Sequence, residues 1–203
     1  MRPRTILAAV LICAATAASC SNTTDGNATV TPSATPGGTS DALPKNGAPA
    51  VKDPLVNTTS VETDPCSALT NAQLETFGGK IDRNRVDELS LGKNCVWVYT
   101  AQFGTIAAGM TVGNKEGLSS LYYQSTHGGL TTFKPVSPVE GFPAVVYSNG
   151  GESPGVCTLA VGVRNDLTYT IITRLDTANP NRSDPCGTAT KVAQLAIQQL
   201  KAA

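Results

Sequence analysis

The chain has 203 residues, enough for one domain with extensions, and its 15 basic side chains balance 15 acidic ones. Charged residues make up 15% of it, below the roughly 25% of ordinary soluble domains. No basic stripe or cluster appears, which argues against nucleic acid as a partner.

Residues 1–19 read as a secretory signal peptide. Arg2 and Arg4 make a positive start, Ile6 to Ala15 an apolar run, and small residues lead to Cys20. The run falls short of the roughly 20 apolar residues that span a bilayer. Ala17-Ala18-Ser19-Cys20 resembles a bacterial lipobox, with Ala17 where Leu or Val is more usual. The resemblance implies that Cys20 is lipidated and becomes the N-terminus, anchoring an extracytoplasmic protein to the outer face of the cytoplasmic membrane. Ordinary cleavage near Ala18-Ser19 is the alternative. Cys13 is then a small hydrophobe in the discarded peptide.

Residues 20–63 follow as the lipidated Cys and a tether rich in Thr, Ser, Pro and Ala, with no aromatic residue and no periodicity. Such a composition buries too little apolar surface to offset chain entropy, so it predicts disorder. A flexible coil of this length reaches about 35 Å from its anchor.

Residues 64–203 are expected to form a single domain. Asp64-Pro65-Cys66 and Asp184-Pro185-Cys186 each have the form of a helix start, with aspartate capping free N–H groups and proline at the first helical position. Thr70 caps a second helix through Gln73, Leu74 and Phe77, stopping at Gly78-Gly79. Residues 80–92 are either an edge strand or a loop. Asn94 to Ala101, with Cys95, Trp97 and Tyr99 on one face, and then Ile106, Ala108, Met110 and Val112 alternate as paired strands. Lys115 to Gln124 reads as a helix. Thr131 to Pro135 and Phe142 to Ser148 are predicted strands separated by Pro138 and Gly141. Cys157 to Val163 is another strand, and Leu167 to Leu175 alternates apolar residues with threonines. The chain ends in a helix with a small-residue stripe of Ala189, Val192, Ala193, Ala196 and Leu200. This order predicts an α+β fold: an antiparallel, curved sheet of five to seven strands covered by helices and held by two disulfides.

Four domain cysteines in an exported chain read as disulfides. Cys66–Cys95 and Cys157–Cys186 are favoured, because each joins a helix start to the inward face of a strand. Cys66–Cys186 with Cys95–Cys157 is the rival. Intervening stretches of 28, 61 and 28 residues contain no C-x₂₋₄-C pair, so neither a zinc site nor a redox-active dithiol is expected. Trp97 is expected in the core, packed against a disulfide, with ligand stacking as the alternative.

No catalytic set stands out. His127, the only histidine, lies in a Ser-Thr-His-Gly-Gly stretch that reads as a loop. Asp82, Asp87, Glu88, Glu116, Glu140 and Glu152 supply carboxylates, but nothing in their spacing selects a pair. Tyr122, Tyr123, Phe133, Phe142 and Tyr147 cluster mid-chain and are candidate liners of a ligand pocket, with ordinary core as the competing role.

The chain resembles a family of uncharacterised actinobacterial lipoproteins built around a domain of unknown function. The resemblance rests on Cys20, Asp64-Pro65-Cys66 with Leu69-Thr70, Cys95-Val96-Trp97, and Asp184-Pro185-Cys186. It implies a cell-envelope lipoprotein and brings no catalytic or ligand residues with it. The function expected is non-enzymatic: the domain binds a partner protein or a small envelope ligand, without cofactor or metal. The alternatives are an envelope hydrolase using the scattered carboxylates and a passive surface protein.

Overall fold

A computed structural model describes residues 42–101 and 103–202, all within one compact unit, Ser40–Ala203. The signal peptide, Cys20 and the first half of the tether lie outside the described residues.

The sheet has seven strands: β1 (Ile81–Leu89), β2 (Gly92–Tyr99), β3 (Gly104–Met110), β4 (Thr132–Val139), β5 (Phe142–Ser148), β6 (Val156–Arg164) and β7 (Leu167–Leu175). Their spatial order is β1-β2-β3-β7-β6-β5-β4, with every pair antiparallel. Two meanders thus meet at the β3–β7 pair. Four α-helices accompany them: α1 (Thr59–Thr63), α2 (Asn71–Glu75), α3 (Leu118–Thr126) and α4 (Pro185–Ala202). The predicted α+β class and strand count hold.

Residues paired across an antiparallel ladder share a face. One row therefore crosses the whole sheet as Val86, Cys95, Ala108, Ile171, Leu159, Val146 and Lys134. Trp97, Ile106, Met110, Val161 and Tyr169 lie on the same side, and together they form the main core. α4 covers this face across β6 and β7, burying Ala189, Val192, Ala193, Ala196, Ile197 and Leu200. The predicted stripe is the buried one, and its small side chains let the helix lie close to the strands.

Both Asp-Pro-Cys tripeptides cap as their composition predicts, with different results. Asp64 accepts from the Cys66 N–H at 3.1 Å, but only a four-residue 3₁₀ turn, Pro65–Ala68, follows. Asp184 accepts from the Gly187 N–H at 2.9 Å and opens the 18-residue α4. A Cβ at Gly187 would meet the Asp184 carboxylate at 2.0 Å, so a larger residue there would make the capping carboxylate shift. The disulfides are Cys66–Cys95 and Cys157–Cys186, with Cα separations of 4.9 and 5.2 Å. The rival pairing is excluded. Thr70 and Gln73 form a reciprocal capping box at α2. The Tyr99 hydroxyl then closes this helix by donating to the Leu74 carbonyl at 2.6 Å.

Three segments are settled by the structure, the second and third against expectation. β1 resolves the ambiguous 80–92 segment as an edge strand, with Asp82, Arg83, Arg85, Asp87 and Glu88 keeping that edge solvated. β4 continues through Pro135 and Pro138. It is the opposite edge strand, where a proline's missing N–H faces no neighbour. The third segment is residues 42–63, expected to lie in the tether. They are a strap on the domain: the Lys45 N–H donates to Ser119 Oγ at 2.9 Å, Val51 to Asn165 Oδ1 at 2.9 Å and Leu55 to the Val163 carbonyl at 3.0 Å. Leu55, Thr58 and Val61 are buried. Order here comes from backbone donors meeting acceptors far away in sequence, which composition does not reveal.

Candidate functional site

The second face of the sheet carries the partners of the opposite alternation. One row reads Pro135, Val145, Ala160, Thr170 and Gly109; beside it run Arg85, Val96, Ala107, Ile172 and Thr158. α3 covers only part of this face, packing Leu118 and Leu121 on Val145 and Ala160. Beside α3 a groove of about 520 Å³ remains, continuing into a recess of about 120 Å³. The two share Leu91, Thr111, Tyr147 and Thr170.

The groove's floor comes from the end of β3 and from β7. Thr111 and Thr170 bring their hydroxyls to 3.0 Å of each other, and Tyr147 lines the groove beside them. Burial pushes the Tyr147 phenol up, and the neighbouring Thr170 hydroxyl partly offsets this. Thr168 is 2% exposed and lines the cavity. Its hydroxyl meets no hydrogen-bond partner among the described residues.

Three walls surround that floor. On one side stands α3 with Leu121 and Gln124; opposite is the β1–β2 turn with Leu89 and Leu91, half-exposed at 55% and 51%. The third wall is the turn 113–117. Asn114 Oδ1 accepts from the Glu116 N–H at 3.1 Å, and its amide donates to the Gly117 carbonyl and Ser120 Oγ. Gly117 then precedes α3 with φ 53° and ψ −132°. A Cβ there would meet the Asn165 carbonyl at 2.3 Å. This turn is why α3 starts at Leu118 rather than at Lys115 as the periodicity predicts.

The groove's charges are few. Glu116 pairs with Lys45 from the strap, and Lys115 lies in the field of Asp166. The Arg164 guanidinium, bonded to Asp166, holds that carboxyl below its usual range.

The five aromatic candidates do not form one pocket. Tyr122 and Phe133 meet edge-to-face with centroids 4.9 Å apart and pack with Tyr147 against the α3 cluster. Of these, Tyr147 borders the groove, while Tyr122 borders a separate hollow of about 300 Å³ beside Pro49 and Pro143. Phe142 is on the opposite face, buried in the main core beneath the Lys201 ammonium at 5.0 Å. Tyr123 points outward and stacks on His127 at 3.9 Å. Strand alternation explains the split: Phe142 and Tyr147 are five residues apart on β5, so they emerge on opposite sides.

Trp97 is fully buried in the core that also holds Cys95, as expected. His127 Nδ1 lies 2.9 Å from both Thr126 Oγ1 and the Tyr123 carbonyl, at an exposed site. The carboxylates are dispersed. Asp82, Asp87 and Glu88 are on the β1 edge, and Glu140 reaches Gln198 of α4. Glu152 accepts from Thr131 and Thr132, whose hydroxyls bring it down to about 2. Among the described residues, no cluster of three His, Cys, Asp or Glu is arranged to hold a metal ion, and no helix is long and apolar enough to cross a membrane.

Residues 15–199 match a family described as "Protein of unknown function (DUF3558)". The chain belongs to this family. The match takes in the strap, the whole sheet and most of α4. No curated protein and no solved structure matches the chain.

Proposed function

We propose that this DUF3558 protein is a non-enzymatic binding lipoprotein of the cell envelope, anchored through Cys20 and taking a small ligand in the groove beside α3. The observation that carries this reading is the groove itself. Its volume of about 520 Å³ falls within the roughly 300–1,000 Å³ of small-molecule sites. It also presents polar groups, such as the Thr168 hydroxyl, that the protein's own fold leaves unpaired. Its one carboxylate, Glu116, is ion-paired to Lys45, so the groove offers no second carboxylate for acid–base hydrolysis. The anchor is supported by Arg2, Arg4, the apolar run and Ala17-Ala18-Ser19-Cys20.

The full chain isolated from its envelope is expected to retain a small molecule detectable by mass spectrometry. Gln124→Trp, which fills the groove from α3, is expected to lose it. Repeated recovery of nothing from the wild-type chain would remove the groove as a ligand site. Intact mass is expected to correspond to a chain starting at Cys20 with an added diacylglyceryl group, and an unmodified product starting elsewhere would remove the anchor.

A further inference from the structure

Taking the groove as a ligand site, as proposed above, we infer that its ligand is a neutral, hydroxyl-rich molecule, a short oligosaccharide. The floor is a run of hydroxyl-bearing side chains: Thr111 and Thr170 bonded to each other, with Tyr147 and Thr168 lining the cavity beside them. A hydroxyl both donates and accepts, so such a pair reverses direction to suit the group laid against it. Sugar hydroxyls have the same two-way character. The walls supply what the other surface of a sugar ring needs. Leu91 and Leu121 offer apolar contact to C–H faces, and the Gln124 amide at the rim adds a donor and an acceptor.

The placement of charges and hydroxyls argues against the other common classes. Glu116 is already paired with Lys45, and Lys115, the one cation among the groove's lining residues, lies in the field of Asp166; no arginine lines the groove, so the two-pronged fork that grips phosphate or carboxylate is missing. An acyl chain would strip water from the floor hydroxyls and return no hydrogen bond to them. Thr168 separates ligand binding from folding. Its hydroxyl has no protein partner, so Thr168→Val preserves the side-chain shape and breaks no bond within the protein.

The test uses the full chain in a zwitterionic detergent. An array of neutral oligosaccharides built from hexoses, N-acetylhexosamines and pentoses is titrated alongside palmitate and inorganic phosphate. Binding is read by calorimetry and by the amide shifts of Thr111, Thr168 and Thr170. At least one neutral glycan is expected to bind and move these amides. Thr168→Val is expected to weaken that glycan about tenfold while leaving the unfolding midpoint unchanged or higher. Glycan affinity unaltered by Thr168→Val would overturn the role of the floor. Shifts produced by palmitate or phosphate alone would overturn the ligand class and keep the groove as a binding site. Silence from every probe, with nothing retained by the envelope-purified chain, would end both.

Discussion

The two faces of the sheet are built from the same strands and solve different problems. The covered face is continuous and apolar: Leu159, Val161 and Ile171 are fully buried on the β6–β7 side that α4 covers, and Trp97 and Ile106 on the β2–β3 side, where α1 and the 3₁₀ turn pack; both disulfide cysteines of the sheet, Cys95 and Cys157, point into it. The other face is half-covered. Where α3 stops, threonines replace aliphatic side chains, and the surface holds a groove instead of a core. The main core thus lies on one side, and the side left free to specialise carries a hydroxyl, that of Thr168, that the fold does not use.

If stability and recognition are divided in this way, substitutions on the two faces should separate them. Trp97→Ala is expected to destabilise by about 3–5 kcal/mol, read as a shift of the urea midpoint, and to affect binding only through loss of fold. Thr168→Val should do the reverse. Equal destabilisation by the two would erase the distinction between the faces.

The staples come next in size. Each disulfide closes a loop between residues 29 apart, which in the chain-entropy model stabilises by about 3–4 kcal/mol. Replacing Cys157 and Cys186 by serine is expected to lower the midpoint accordingly. So is replacing Cys66 and Cys95. A negligible loss from either pair would show that α4 or the 3₁₀ turn docks without its covalent tie.

How much of this contrast the sequence discloses follows from the physics of each face. The covered face is legible because burial on one side of a strand leaves a period of two: Cys95, Trp97 and Tyr99 announce it, and α4 announces its own stripe. The disulfide partners follow from helix starts and inward strand positions. The open face is harder to read. Thr168 and Thr170 look like the solvent side of an ordinary alternating strand, and only the placement of α3 decides that they floor a cavity. The aromatic candidates mislead for a related reason. Proximity in sequence brings Phe142 and Tyr147 onto one strand, and the pleat then separates them. The strap 42–63 is invisible to composition because its order rests on distant acceptors, such as Asn165 Oδ1 for Val51. A signal was nonetheless present in Val51, Leu55 and Val61, isolated apolar residues in a polar segment.

The groove's third wall offers a smaller and more local test. Gly117→Ala forces a side chain onto a backbone at φ 53°, with the Asn165 carbonyl 2.3 Å from the new Cβ. A residue held in such a region costs about 1–3 kcal/mol. The expected result is a modest fall in midpoint together with altered amide shifts in α3 and at Asn165. The covered face, probed by Trp97 fluorescence in the folded state, should not change. A shifted Trp97 spectrum would mean that the two faces are mechanically coupled.

The smallest effect belongs to Glu152, which sits at the sheet's β5–β6 end and is tied to β4 by hydroxyls. The bonds from Thr131 and Thr132 bring its carboxyl from 4.5 to about 2. A carboxyl lowered on folding contributes stability that is fully present above its unfolded value and is lost as pH falls through the folded one. The contribution of Glu152 is therefore complete above about pH 4.5 and disappears as pH drops toward 2. Because the group is exposed, water and salt screen the effect, and it should be read by NMR titration of its side-chain carboxyl rather than by unfolding. Thr131→Val with Thr132→Val is expected to return the midpoint toward 4.5 and to leave the groove amides of Thr111, Thr168 and Thr170 in place. Movement of those amides with the Glu152 titration would place the carboxyl in the groove's electrostatics. Their indifference would confine it to fastening the β4 edge.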